Sequence, residues 1–119
     1  MSTPEKALSE HTLNSESAEV YDDGYLRVEH QNYYVTCRGE PIYLARTEFL
    51  LLSRLVRSIK RVVTSEDLWR YAWEHGKPFN AESLHVHIYR LRGKLLPYNL
   101  RIDNMVNVGY RFLPYRDGS

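Results

Sequence analysis

This 119-residue chain holds one cysteine, Cys37. A lone thiol closes no internal disulfide and builds no cysteine-rich zinc site, so Cys37 reads as a small apolar filler within a strand. Long apolar runs are also missing, the longest obvious one being Phe49 to Leu52, far short of the roughly 18 residues that would span a bilayer. The opening Met1-Ser2-Thr3-Pro4-Glu5-Lys6 lacks the basic start and apolar stretch of a signal peptide, so a cytoplasmic location is expected. There is no glycine-rich phosphate loop, no activated nucleophile and no paired inward carboxylates. His85 and His87 would form a metal pair only on a strand, since helix residues two apart point about 200° away from each other. Internal repeats and low-complexity tracts are absent. These absences argue against an enzyme, a metal, a cofactor, a small-molecule substrate and a membrane partner.

What is present is ordinary in amount and uneven in distribution. Apolar residues make up 43% and charged residues 26%, as in a soluble globular domain with a single modest core. Residues 1–24 carry six acidic side chains against Lys6, a balance of −5, while the remainder carries fifteen Lys and Arg against nine Asp and Glu, a balance of +6. The part with folding potential is therefore basic, which favours a polyanionic partner. Residues 1–23 show no sustained periodicity and are expected to form a disordered acidic tail, residues 24–114 one domain, and residues 115–119 a disordered C-terminus.

From Gly24 the pattern becomes β-rich: Tyr25 to Val28, Tyr33 to Cys37 and Ile42 to Leu44, separated by turn-forming residues, predict a small antiparallel sheet. A helix is predicted from about Arg46 to Ser58, with Phe49, Leu52, Leu55, Val56 and Ile59 on one stripe. After a short extended Arg61-Val62-Val63, Thr64 caps a second helix from Ser65 to about Glu74. Gly76-Lys77-Pro78 stops it, and Asn80 caps a third that runs to about Leu95 before Pro97. Leu100 to Ile102 and Met105 to Phe112 close the chain as a β-hairpin.

The third helix, residues 81–95, has two faces. Leu84, Ile88, Leu91 and Leu95 form an apolar stripe, while His87, Arg90 and Lys94 share one flank and Tyr89, Arg92 and Glu82 take the rest. Docked by its leucines, such a helix presents arginines outward as major-groove reading requires; by itself the pattern also fits a solvated basic face.

Five stretches, one of them within this helix, carry a resemblance. They are Leu44 to Glu48 with Leu51, Leu52 and Leu55; Val62 to Leu68; Ala72-Trp73; Val86 to Leu95; and Val108 to Phe112. In this order and spacing, covering roughly residues 25–113, the chain resembles the winged-helix effector domain of OmpR/PhoB-type bacterial response regulators. The resemblance implies an α+β winged helix-turn-helix: an N-terminal antiparallel sheet, three helices and a C-terminal hairpin wing. It implies sequence-specific double-stranded DNA binding for transcription regulation, with helix 81–95 in the major groove and a wing at about 103–109 at the minor groove. It also implies a homodimer on DNA, a place on the bacterial nucleoid, and an RNA polymerase contact through the loop His75, Gly76, Lys77, Pro78, Phe79 and Asn80. Such domains usually follow a phosphorylatable receiver; the 119 residues hold none, which suits either a stand-alone effector or an excised domain.

Matched position by position, His87, Arg90, Arg92 and Asn104 coincide with places where the family commonly contacts DNA, and Tyr89, Lys94 and Arg111 complete the expected DNA-contact set. Arg90, Arg92, Lys94 and Arg111 are expected to neutralise phosphates, and His87, Tyr89 and one arginine to read bases. The chain departs from the family where Glu82 replaces the usual Arg, His85 the usual Asp, Tyr89 a frequent Arg or Lys, Val106-Asn107 the usual Arg-Gly of the wing, and Ala45 a capping Thr. A glutamate facing phosphates is repulsive, so DNA binding is expected to be weaker or differently specified. The alternative is a winged-helix module whose main partner is a protein, RNA polymerase or another regulator.

Overall fold

The computed structural model describes residues 19–114. Four short strands open it: β1 (Val20–Asp22), β2 (Leu26–Glu29), β3 (Tyr34–Cys37) and β4 (Glu40–Pro41). They form an antiparallel meander in the order β1-β2-β3-β4. Alternation decides its faces, with Leu26, Val28, Val35 and Cys37 buried beneath and Arg27 and Glu29 paired at 2.9 Å. β1 lies within the segment expected to be tail. Its three residues pair with Asp22↔Arg27, Tyr21↔Val28 and Val20↔Glu29, and Asp22 Oδ2 accepts from the Arg27 guanidinium at 3.0 Å. The acidic composition that suggested a tail here serves cross-strand pairing. Residues 1–18 and 115–119, the rest of the expected tails, lie outside the described residues.

The third predicted strand also moves, from Ile42–Leu44 to Glu40–Pro41. Pro41, with no N–H to give, takes the last ladder position opposite Thr36, and the Ile42 N–H then donates to the Val35 carbonyl at 2.9 Å.

Three helices follow: α1 (Arg46–Arg57), α2 (Ser65–Ala72) and α3 (Ala81–Leu95). In α1, Phe49, Leu52, Leu55 and Val56 are buried as their spacing predicts. Ala45 has no side-chain oxygen to cap α1, but Glu48 Oε1 accepts from the Ala45 N–H at 2.8 Å, which is half of a capping box. Thr64 Oγ1 accepts from the Asp67 N–H at 3.1 Å and starts α2. That helix stops at Ala72, two residues earlier than expected, because Trp73 turns to an extended conformation and stacks on Trp69 at 4.0 Å.

A second sheet, in the order β5-β7-β6, is built from β5 (Val62–Thr64), β6 (Arg101–Met105) and β7 (Gly109–Leu113). The hairpin turn falls at residues 106–108, where Asn107 takes a left-handed φ of 64° and the Val108 N–H donates to the Met105 carbonyl at 2.9 Å. Asp103 and Asn104, turn-formers in the sequence, instead lie inside β6. Asp103 sits directly opposite Arg111 and accepts from it at 3.2 Å, and this cross-strand pair holds a residue that would otherwise favour a loop. Phe112, fully buried, joins the hairpin to the leucines of α1, α2 and α3 in one core.

Candidate nucleic-acid interface

The placement of α3 follows from its sequence. Asn80 Oδ1 accepts from the Ser83 N–H at 2.9 Å and sets the start. Leu84, Ile88, Leu91 and Leu95 are all at most 1% exposed and press the helix against α1, α2 and β6. Leu96–Tyr98 tightens into a 3-10 turn containing Pro97, and Asn99, left-handed at φ 60°, ends it. Opposite the leucines stand Glu82, His85, Val86, Tyr89, Arg90 and Gly93, all exposed. This outward stripe contains Glu82, His85 and Tyr89, the three helix positions read from the sequence as departures from the pattern it resembles.

The seven residues expected to touch DNA fall into two groups. Tyr89, 69% exposed, and Arg90 project from α3 with no hydrogen-bonding or ionic partner among the described residues, and Asn104 is exposed on β6. The other four are engaged within the domain. His87 Nδ1 donates to the Ser83 carbonyl at 2.8 Å and its ring meets Trp73 edge-on at 5.1 Å. Arg92 Nε donates to the Ile102 carbonyl at 2.9 Å, pinning α3 to the hairpin. Arg111 is held by Asp103, which also accepts from Arg101 at 3.1 Å. Burial alone would push the Asp103 carboxyl up, but the two guanidiniums outweigh it and hold the group below its ordinary value.

Lys94 is the most heavily committed. Its Nζ donates at 2.7 Å to Glu48 Oε1, and Glu48, in the first turn of α1, is only 3% exposed. Desolvation favours the neutral acid there. Hydrogen bonds from Lys94 and the Ala45 N–H, with the nearby charges of Lys94 and His87, nevertheless hold the Glu48 carboxyl below its usual value. The Lys94 ammonium thus completes a buried cap.

The loop from His75 to Asn80 is exposed throughout. It is built over the stacked tryptophans: Trp69 Nε1 donates to the Lys77 carbonyl at 3.0 Å, and Phe79 meets the Trp69 ring edge-on at 5.8 Å. At the hairpin tip Val106 is 74% exposed and Val108 half exposed. Val86 and Gly93 escaped the sequence reading, which followed the cations around the helix. Taking the direction opposite the leucine stripe would have found them.

Three helices with the third presented beside a C-terminal hairpin define a winged-helix domain. The chain belongs to the family described as "Transcriptional regulatory protein, C terminal", which matches residues 39–112, the OmpR/PhoB-type DNA-binding domain of transcriptional regulators. That family is a class of regulator domains rather than of enzymes. The DNA-binding response regulator MtrA of Mycolicibacterium smegmatis is 33% identical over 102 residues, 83% of this chain and 45% of its own length. Among solved structures, the Thermotoga maritima response regulator DrrB, an OmpR/PhoB homologue, superposes with a TM-score of 0.71 at 30% identity, covering 92% of this chain and 52% of DrrB. The Klebsiella pneumoniae RstA DNA-binding domain, solved in complex with the RstA box, gives 0.64 at 28% identity over 82% of this chain and 99% of that domain. The chain spans about half the length of the curated relatives it matches, 45% of MtrA for example. No helix among the described residues is long and apolar enough to cross a membrane.

Proposed function

We propose that this domain binds double-stranded DNA sequence-specifically to regulate bacterial transcription, with α3 in the major groove and the hairpin tip at the minor groove. The observation that carries this reading is the outward stripe of α3, where Tyr89 and Arg90 stand free of partners among the described residues, with Asn104 exposed on β6. Arg90 supplies a guanidinium for a guanine edge or a phosphate. His87, whose Nδ1 is committed to the Ser83 carbonyl, leaves Nε2 as the ring atom that can meet a base edge. Glu82 opposes phosphates and accepts from a cytosine amino group, so it acts in selection rather than in affinity. Two copies on adjacent half-sites, in the cytoplasm on the nucleoid, complete the proposal.

Fluorescence titration of a selected duplex over a range of salt tests the assignment. Arg90→Ala is expected to reduce the slope of log affinity against log salt by about 0.9, the weight of one phosphate contact, or to relax specificity at one base by roughly 1–3 kcal/mol. Lys94→Ala is expected to leave both nearly unchanged and to lower folding stability by about 1–2 kcal/mol, a buried-pair loss discounted because the Lys94 side chain is 45% exposed. Salt-insensitive binding to every duplex would sink the DNA assignment.

The exposed His75–Asn80 loop on its tryptophan base favours a second contact, with RNA polymerase. Phe79→Ala should then lower activated transcription in vitro while leaving duplex affinity within about twofold, a difference of roughly 0.4 kcal/mol. Equal loss of both would remove the polymerase contact.

A further inference from the structure

A groove of about 420 Å³ lies between the C-terminal half of α3, the 3-10 turn after it and β6. Its apolar lining combines the buried Leu100 and Ile102 with Gly93 and with Leu96, which has 70% of its surface exposed. Its remaining walls are Tyr89 and three arginines, Arg90, Arg92 and Arg101. Arg101 is offset by Asp103 at 3.1 Å. Arg92 is oriented by a single bond from Nε to the Ile102 carbonyl. Two guanidinium charges therefore border an apolar hollow whose volume is within the range of small-molecule sites.

We propose that this groove binds an amphipathic organic anion: one carboxylate or sulfonate carried on an aromatic or branched apolar body. The two requirements come from different walls. An inorganic anion would satisfy Arg90 and Arg92 and leave Leu96 in water, whereas a neutral apolar molecule would cover Leu96 and leave the guanidiniums unanswered. A planar body lies against the Tyr89 ring and over Gly93, where an added Cβ would meet only open space. Because Tyr89 and Arg90 also belong to the proposed DNA surface, an occupied groove excludes the duplex; this consequence alone rests on the DNA reading.

The test uses the fluorescent aromatic sulfonate 8-anilinonaphthalene-1-sulfonate on the folded protein without DNA. Saturable one-to-one binding is expected, weakened about fivefold or more by Leu96→Ser and by Arg90→Gln, both exposed positions, and unchanged by Tyr43→Ala, an exposed position that does not line the groove. The uncharged N-phenyl-1-naphthylamine should bind about fivefold more weakly or worse. Non-saturating binding, equal binding of the neutral probe, or variants that bind like the parent would each overturn the site. In a second arm, duplex displaces the sulfonate. Sulfonate binding that persists beside bound duplex overturns the competition, and duplex binding measured without the probe reports on the DNA reading separately.

Discussion

Gly109→Ala is expected to destabilise this domain by roughly 3 kcal/mol and to lower its melting temperature by about 15 °C, the upper end of what overpacking costs in a domain of this size. A Cβ at position 109 would lie 1.9 Å from the Val63 carbonyl oxygen and 2.7 Å from the Thr64 Cα. Both are backbone atoms of β5, so no side-chain rotation relieves the clash and two paired strands must separate. The damage spreads because β5 leads directly into α2. Gly109 pairs with Thr64, Thr64 caps α2, and the Ser65 N–H donates to the Val108 carbonyl at 3.1 Å. The wing and the start of α2 are therefore held at one point. Thermal denaturation followed by circular dichroism measures the effect, with Val108→Ala at the neighbouring exposed position as the comparison. A Gly109→Ala protein melting within a few degrees of the parent would show that β5 and β7 are not locked together as described.

Acid is expected to destabilise the domain through His30. This histidine is buried in the turn between β2 and β3, and its Nδ1 shares a hydrogen bond of 2.6 Å with Ser53 Oγ on α1. Ser53 Oγ lies 3.3 Å from the Tyr71 hydroxyl of α2, to which Arg57 donates, so one polar chain ties the N-terminal sheet to two helices. Burial, reinforced by the Arg57 charge, lowers the His30 pKa from 6.5 to about 4. The unfolded chain thus binds a proton more readily than the folded one. The contribution is complete above pH 6.5, drains away as pH falls from there through about 4, and changes no further below that. The full shift corresponds to about 3 kcal/mol. Urea denaturation at several pH values checks it: the parent should lose this stability between neutral pH and pH 4, and His30→Gln should lose much less over the same interval. Glu48 and Asp103, with lowered pKa values, lose their contributions as pH falls from the ordinary carboxylate values of 4.5 and 3.8 through the depressed ones, mostly below the interval in which His30 acts. Parallel pH profiles for parent and variant would remove the buried-histidine account.

Much of the helical part of this fold is legible because its signals are local. The 3.6-residue stripe of Leu84, Ile88, Leu91 and Leu95 and the caps at Thr64 and Asn80 act within a turn or two of chain, and α3 begins and ends where they place it. The strands were less legible because pairing partners lie elsewhere. Arg61 to Val63 reads as a short extended piece, but its place in a sheet is fixed only when β7 comes to rest beside Val62–Thr64. Asp103 reads as a turn residue until Arg111 stands opposite. Val20–Asp22 reads as acidic tail until Arg27 accepts its place across the sheet.

The candidate site divides in the same way. Sequence by itself determined that residues 81–95 form a helix with one face for the core and cations elsewhere, since periodicity and capping are properties of neighbouring residues. Which cations of the candidate site remain available only the tertiary structure decided. Lys94 is bound by a carboxylate 46 positions away, Arg92 by a carbonyl of the hairpin, and Arg111 by its cross-strand neighbour. Charge attraction and hydrogen bonding act on whatever folding brings within about 3 Å, and no pattern along the chain records that distance.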